Sequence, residues 1–163
     1  MAMAEMDARP GEVRLPFDPA TQVDATITFI GRIRSPWSDP ATCPKNLRQA
    51  RERGGGGTLE LAPGYEGGLQ GLAPGDTIIA LYWMDRSRRD LLVQAPRHRE
   101  GTAGVFALRS PVRPNPIALA TVRIEAIDQA AGTVRIDAID CLDGTPLLDI
   151  KPWIATVDRG DAG

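Results

Sequence analysis

The sequence predicts a mainly β fold, a small barrel or sandwich of short strands joined by irregular loops and one short helical segment. Apolar and polar residues alternate along several short runs, which is the spacing of a strand with one buried face. Turn-forming residues separate these runs, among them 17 glycines and 14 prolines. Strand and helix patterns do not alternate along the chain, so the sequence does not favour a parallel sheet of βαβ units.

The order of the elements follows from these runs. Strands are predicted at residues 24–30, 58–62, 76–84, 90–94, 103–108, 117–127 and 133–139, with a helical turn at 46–53. The clearest pair is 117–127 and 133–139, because valine and isoleucine alternate there with charged residues. The Asp-Gln-Ala-Ala-Gly segment between them is expected to form a hairpin turn.

Length and composition indicate one globular domain. The chain has 163 residues, of which 42% are hydrophobic and 25% are charged, and these values are typical of a soluble protein with a single core. We expect a flexible leader over residues 1–22, one domain over 23–158 and a flexible tail over 159–163. The first residues lack the features of a signal peptide, and no apolar run reaches the length of a membrane span. The expected compartment is the cytoplasm.

The charge pattern argues against a globally basic nucleic-acid binder, because the net charge is −2. Three local basic clusters are expected to be solvated surface and leave RNA contact open: Lys45 with Arg48, Arg51 and Arg53; Arg86 with Arg88 and Arg89; and Arg97 with Arg99.

Cysteine and histidine are too few for a zinc site. Cys43 and Cys141 lie outside any Cys-x-x-Cys pair, and His98 is the single histidine. We therefore predict no metal, and cysteines that are buried or free thiols. His98 is expected in an exposed charged turn, and any Ser–His or Cys–His catalysis would have to use it.

Four consecutive glycines at 54–57 suggest a phosphate-binding loop only at first sight. They follow charged residues instead of an apolar strand, and no Gly-Lys-Ser/Thr follows them. A flexible loop is the favoured interpretation. A nucleotide-like ligand would therefore bind elsewhere.

The segment Arg-Ser-Pro-Val-Arg-Pro-Asn-Pro at 109–116, the proline-rich loop, is predicted to be stiff. Its prolines fix their own φ and push the residues before them toward extended conformations. The loop would present Arg109, Ser110, Arg113 and Asn115 to a ligand with little ordering cost. Guanidinium, hydroxyl and amide groups suit an anionic or polar ligand such as a carboxylate. The alternative interpretation is a rigid connector with incidental charges.

The segment Asp-Gly-Thr-Pro-Leu-Leu-Asp-Ile-Lys-Pro at 143–152 predicts a turn followed by a short strand. Asp149 and Lys151 would lie on one side of that strand and Ile150 on the other. A partly buried pair of this kind could orient a substrate or accept a proton. An ordinary surface ion pair is the alternative.

These segments resemble the TsaA-like, or TrmO-type, methyltransferase family. The resemblance rests on the motifs at 104–117 and 143–152, with shorter matches at 31–36 (Gly-Arg-Ile-Arg-Ser-Pro) and 69–72 (Leu-Gln-Gly-Leu). It implies a small β-barrel, outside the Rossmann class, that binds S-adenosylmethionine as a homodimer. Characterised members methylate the N6 nitrogen of threonylcarbamoyladenosine beside the anticodon, so tRNA is the implied partner.

The resemblance, taken with the proline-rich loop, also assigns site residues. Asp149 and Lys151 are the candidates for the methyl-transfer centre. The cofactor would be bound by Pro44, Lys45, Asn46, Asp85, Arg86, Arg109, Ser110, Arg113, Asn115, Leu119, Asp143, Gly144, Thr145 and Pro146.

The sequence departs from the family pattern at a few of these places. Lys45 and Asn46 stand where Arg and Gln are usual, and Asp85 stands where a His is common. Val112 replaces a His, and Trp153 replaces a Tyr and so cannot donate a phenol hydrogen bond. Two further hypotheses therefore stay open: methylation of another RNA or a small molecule, and a non-catalytic module that binds S-adenosylmethionine.

Overall fold

The computed structural model describes residues 7–97 and 100–160, and the predicted turn at His98 lies outside them. Nine strands and two short helices occur in these ranges: β1 (Val13–Arg14), β2 (Gly31–Arg34), α1 (Leu47–Glu52), β3 (Gly57–Leu61), β4 (Thr77–Trp83), β5 (Leu91–Gln94), β6 (Ala103–Gly104), β7 (Ile117–Asp128), β8 (Thr133–Ile136), β9 (Thr145–Pro152) and α2 (Ala155–Asp158). Single 3₁₀ turns lie at Pro19–Thr21, Glu66–Leu69 and Val105–Ala107. The prediction of a mainly β chain with one short helical segment near residue 46 is confirmed.

The chain divides into two compact units. The barrel unit comprises the described residues of Ile27–Trp83 and Leu119–Gly163. Its strands form a closed barrel in the order β2-β3-β8-β7-β4-β9, which closes because β2 pairs with both β3 and β9. Branched aliphatic side chains fill the interior: Ile33, Leu59, Ile78, Val122, Ile124, Val134, Ile136 and Leu147. The alternation that predicted the strands is the alternation of inward and outward faces of this barrel.

The loop unit comprises the described residues of Met1–Thr26 and Met84–Ala118. Its three-stranded antiparallel sheet has the order β1-β5-β6, with Val93 of β5 opposite Val13 on one side and Gly104 on the other. Part of the expected leader thus carries a strand and a 3₁₀ turn. The boundaries at residues 22 and 158 stay predictions.

The first predicted strand is wrong, because residues 24–30 lie outside any strand and β2 begins at Gly31. Backbone pairing of this stretch starts at Ile30, whose N–H donates to Leu147 O and whose carbonyl accepts from Ala62 N. Ile27 and Phe29, whose alternation predicted the strand, are exposed. The period of two was present, but β3, the antiparallel partner of β2, ends at Leu61 opposite Gly31.

Two other predicted strands are shorter than expected. The strand predicted at 103–108 ends at Gly104, because Leu108 N donates back to Val105 O in a 3₁₀ turn. The strand predicted at 133–139 ends at Ile136, because the next residue, Asp137, turns its carboxylate to the backbone N–H of Arg123 at 2.7 Å.

Within the four glycines at 54–57, Gly55 and Gly57 are buried and Gly57 begins β3, which corrects the prediction of a flexible loop. A Cβ on Gly55 would lie 2.2 Å from Cζ2 of Trp37, and one on Gly57 would lie 2.7 Å from Cγ2 of Ile139. The Trp37 indole donates to Ile139 O at 2.8 Å and so fixes the ring against the glycines. Glycine is needed here for close approach of packed groups.

Within the described residues, 7–97 and 100–160, no helix is long and apolar enough to cross a membrane.

Candidate functional site

A tightly bonded turn at 143–146 connects to the start of β9 in the barrel unit. Gly144 has a φ of +80°, which side-chain-bearing residues rarely adopt, so the Asp-Gly pair has a direct structural reason. Asp143 N donates to Trp37 O at 2.7 Å, and Gly144 N donates to Ile33 O at 2.8 Å. The hydroxyl of Thr145, a buried residue, donates to Leu142 O at 2.7 Å. The predicted turn is confirmed, and its backbone is held from both sides.

Two arginines of β2 that the site prediction omitted also hold this turn. Arg32 Nη1 donates to the Gly144 carbonyl at 2.9 Å, and Arg34 Nη1 lies 3.8 Å from Asp143 Oδ2. Asp143 Oδ1 accepts the backbone N–H of Ser35 at 3.1 Å. The Arg-Ile-Arg spacing, which puts both arginines on the outward face of a strand, was the available signal.

The segment containing Pro44, Lys45 and Asn46 precedes α1 in the same unit. Asn46 is the N-cap of that helix, because its Oδ1 accepts Gln49 N at 2.9 Å, and the Gln49 side chain accepts Lys45 N at 3.0 Å. This reciprocal arrangement is close to a capping box. Pro44 is buried and the Lys45 side chain is exposed. The Lys45 ammonium and the Asn46 amide nitrogen are the groups of this segment that can donate to a polar ligand.

The Asp149 and Lys151 side chains form the predicted ion pair, with Nζ 2.7 Å from Oδ2. The Lys151 side chain is 58% exposed and that of Asp149 is 44% exposed, so the pair is less buried than expected. Both residues share the outer face of the barrel with Ile79 and Leu81, their partners across β4. Ile150 N donates to Asp149 Oδ1, which fixes the carboxylate from a second side.

Leu119 lies on β7 and is 42% exposed. It is an outward residue, since Ala120 and Val122 on the same strand are buried. An apolar side chain in this position can contact a ligand ring or another apolar surface.

The proline-rich loop of the loop unit uses much of its polar chemistry internally. Arg113 Nη1 donates to the carbonyls of Leu108 and Ser110 at 3.1 and 3.4 Å. The Ser110 hydroxyl accepts Val112 N at 3.2 Å, and Asn115 Oδ1 accepts from Arg89. The loop is therefore braced, as the prolines predict, but Ser110, Arg113 and Asn115 also have partners inside the protein.

Asp85 and Arg86 follow β4 in an exposed turn of the loop unit, closed by a bond from Ser87 N to Met84 O at 3.0 Å. Arg109, at the start of the proline-rich loop, is also exposed. These three side chains are accessible to a polar ligand.

Asp90 anchors a charge network that fixes the start of β5. Its carboxylate accepts Arg88 Nε and Nη2 at 2.8 and 2.9 Å and Arg14 Nε at 2.7 Å. The hydrogen bonds from Arg88 are the main cause that lowers the Asp90 pKa to about 2. This network fixes the residues just before β5, from which Arg89 reaches the proline-rich loop.

The comparisons with known proteins agree with this architecture. The sequence profile of the tRNA-methyltransferase O N-terminal domain matches residues 32–159. A probable S-adenosyl-L-methionine-binding protein of Archaeoglobus fulgidus is 40% identical over 129 residues, which cover 79% of this chain and 34% of that protein. The probable S-adenosyl-L-methionine-binding protein VirR of Rhizobium radiobacter is also 40% identical over 129 residues, covering 79% of this chain and 71% of VirR.

A solved structure shares the fold. The crystal structure of TrmO from Pseudomonas aeruginosa superposes with a TM-score of 0.66 at 30% identity, covering 86% of this chain and 61% of that one. The present chain thus spans about a third of the archaeal relative and three fifths of TrmO. From the profile match and the shared fold, the chain belongs to the tRNA-methyltransferase O N-terminal domain family.

Proposed function

We propose that this protein binds S-adenosylmethionine and transfers its methyl group to the N6 nitrogen of threonylcarbamoyladenosine in tRNA. The observation that carries the proposal is the family match over residues 32–159, which include both long motifs. The relatives named as S-adenosyl-L-methionine-binding proteins support the cofactor. We further propose a cytoplasmic location and a homodimer, and light scattering of the purified protein tests the dimer.

The donor set fits this cofactor chemically. S-adenosylmethionine carries a carboxylate, an ammonium, a sulfonium and an adenine. Lys45 and Arg109 are exposed cations that suit the carboxylate, and Asp85 is an exposed carboxylate that suits the cationic groups. The other contacts of the proposal are Pro44, Asn46, Arg86, Ser110, Arg113, Asn115, Leu119, Asp143, Gly144, Thr145 and Pro146.

Asp149 and Lys151 are proposed to serve the acceptor. Bound S-adenosylmethionine supplies a methyl group on a sulfonium, which becomes a neutral thioether when the methyl leaves. Asp149 accepts the proton that the acceptor nitrogen loses, since both of its oxygens keep lone pairs beside the bonds to Ile150 N and Lys151. Lys151 holds the carboxylate in one orientation by the 2.7 Å ion pair.

Calorimetry with S-adenosylmethionine tests the binding half of the proposal. We expect Arg109→Ala to weaken binding about tenfold, because a charge-assisted contact contributes on the order of 1.5 kcal/mol. Arg48→Ala is the matched control, since that side chain is 78% exposed and pairs only locally with Glu52. Equal affinities for the two variants would show that Arg109 is not a cofactor contact.

Transfer of a labelled methyl group to total tRNA from a strain lacking the endogenous enzyme tests the catalytic half. Digestion to nucleosides should place the label on threonylcarbamoyladenosine. Asp149→Asn should lower the rate about a hundredfold at unchanged cofactor affinity, the usual size of a general-base effect. Label on another nucleoside would redirect the proposal to a different RNA.

A second candidate function is a non-catalytic module that binds S-adenosylmethionine. The relatives' names favour it, because they state binding and no reaction. Tight cofactor binding with no label on tRNA or small molecules would select this function.

A further inference from the structure

The proline-rich loop has three residues that cannot donate a backbone hydrogen bond. Pro111, Pro114 and Pro116 have no N–H. Backbone bonds fix the end of the loop, where Met84 N donates to Pro116 O at 2.8 Å and Ile117 N donates to Asn115 O at 2.7 Å. The carbonyls at 112 and 114 need donors from side chains. Two donors from the preceding part of the loop unit meet this need, and neither belongs to the predicted site.

The first donor is Gln94, the last residue of β5. Its Nε2 donates to Val112 O, and the residue is only 6% exposed. Water cannot readily replace a bond in so buried a place, and without the donor the Val112 carbonyl would lose its partner.

The second donor is Arg89, which spans the end of the loop. Its Nε donates to Pro114 O, and its Nη2 donates to Asn115 Oδ1 at 3.2 Å. The planar guanidinium thus fixes two successive residues in one orientation, which a lysine could not do.

The restraint that these bonds place on the loop reaches Arg109 through Arg113. Arg113 lies between the two fixed carbonyls, of Val112 and Pro114, and its guanidinium reaches back to the carbonyls of Leu108 and Ser110. Those carbonyls belong to the residues on either side of Arg109. A change in the path of the loop at 112–114 would therefore move the backbone from which Arg109 projects.

We propose that Gln94 and Arg89 are positioning residues that set the orientation of Arg109 toward the S-adenosylmethionine carboxylate. The inference rests on the proposed function. Gln94 and Arg89 act through the loop and touch no ligand themselves. Their loss should weaken cofactor binding only as far as Arg109 contributes to it.

A double-mutant cycle on cofactor affinity tests this. Gln94→Glu replaces the donor by an acceptor of the same shape, and we expect the dissociation constant of S-adenosylmethionine to rise about tenfold, as for loss of one buried hydrogen bond. In the Arg109→Ala background the same change should alter the constant less than about twofold, because coupled residues are not additive. Gln70→Glu, at an exposed position, is the matched control and should bind like the wild type.

Arg89→Lys provides a second variant if Gln94→Glu folds poorly. It keeps the charge, loses the fork and should show the same dependence on Arg109. Near-wild-type melting temperatures would separate positioning from a purely structural role. Wild-type affinity in both variants, or a loss that persists undiminished without Arg109, would overturn the inference alone. Absence of S-adenosylmethionine binding by the wild type would instead overturn the proposed function, and this inference with it.

Discussion

Replacing Gly31 by alanine should destabilise the barrel severely. Gly31 begins β2 and is paired on both sides, with Leu61 of β3 and Leu147 of β9. An added Cβ would lie 2.1 Å from the Glu60 carbonyl oxygen and 2.9 Å from Leu61 Cα, where ordinary contacts begin near 3.4 Å. The obstructing atoms are backbone, so no side chain can rotate away, and the pairing on the far side prevents β2 from withdrawing.

Relief of this clash requires β2 and β3 to separate at the point where the barrel closes. We expect a loss of about 3 kcal/mol or more in the free energy of unfolding, at the upper end of overpacking effects. That is a large part of the 5–15 kcal/mol by which a typical domain is stable. Gly31→Ala should therefore unfold at a clearly lower urea concentration than the wild type.

Urea unfolding, followed by tryptophan fluorescence and circular dichroism, measures this loss. All three tryptophans lie in the barrel unit, so the fluorescence reports on the barrel. Gly67→Ala is the control, because no atom lies within 4 Å of its added Cβ and its φ is not positive. If the two variants agreed within about 0.5 kcal/mol, the usual range of a neutral surface change, the closing geometry at Gly31 would be wrong.

Three further predictions concern charge, thiol chemistry and helix capping. The hydrogen bonds from Arg88 lower the pKa of Asp90 to about 2, so the stability they give is present above the unfolded pKa near 4 and is lost as the pH falls through 2. Between pH 5 and pH 2 the free energy of unfolding, measured in urea, should fall about 2 kcal/mol more for the wild type than for Asp90→Asn. Burial raises the pKa of Cys141 to about 12, so Ellman's reagent should label this thiol only after denaturation, and rapid labelling of the native protein would refute its burial. Asn46→Ala should cost about 1 kcal/mol and Asn46→Asp little, as measured by thermal melting, because only the former removes the N-cap acceptor of α1.

The sequence predicted the strands of the barrel correctly wherever the alternation of apolar and polar residues coincided with neighbouring strands that could pair. Alternation in β4 and β7 predicted those strands because each lies between two neighbours and buries every second residue. The same period failed at residues 24–30, since pairing is decided by Leu147 and Ala62, which are distant in sequence. Likewise, Gly55 is explained by the ring of Trp37 and Gly57 by Ile139, whose positions no local pattern predicts.

The candidate site shows the same division between local and distant causes. The Asp-Gly turn and the Asp149–Lys151 pair follow from residue types and spacing, and both are found. The proline-rich loop was predicted to be stiff, and it is braced, but Gln94 and Arg89 lie 18 and 25 residues away from the carbonyls they bind.

Prolines restrict the conformations of a loop, but they also remove the donors by which it could hold one of them. Such a loop needs donors from outside it, and polar side chains within it also donate to its carbonyls. This explains why Arg113, which resembles a ligand-binding group in the sequence, donates to carbonyls of the loop in the structure. For this chain we therefore expect the affinity for S-adenosylmethionine to depend on Gln94 and Arg89, which touch no ligand. The direct contact with the cofactor should be made by Arg109, because the loop holds its two neighbours in place.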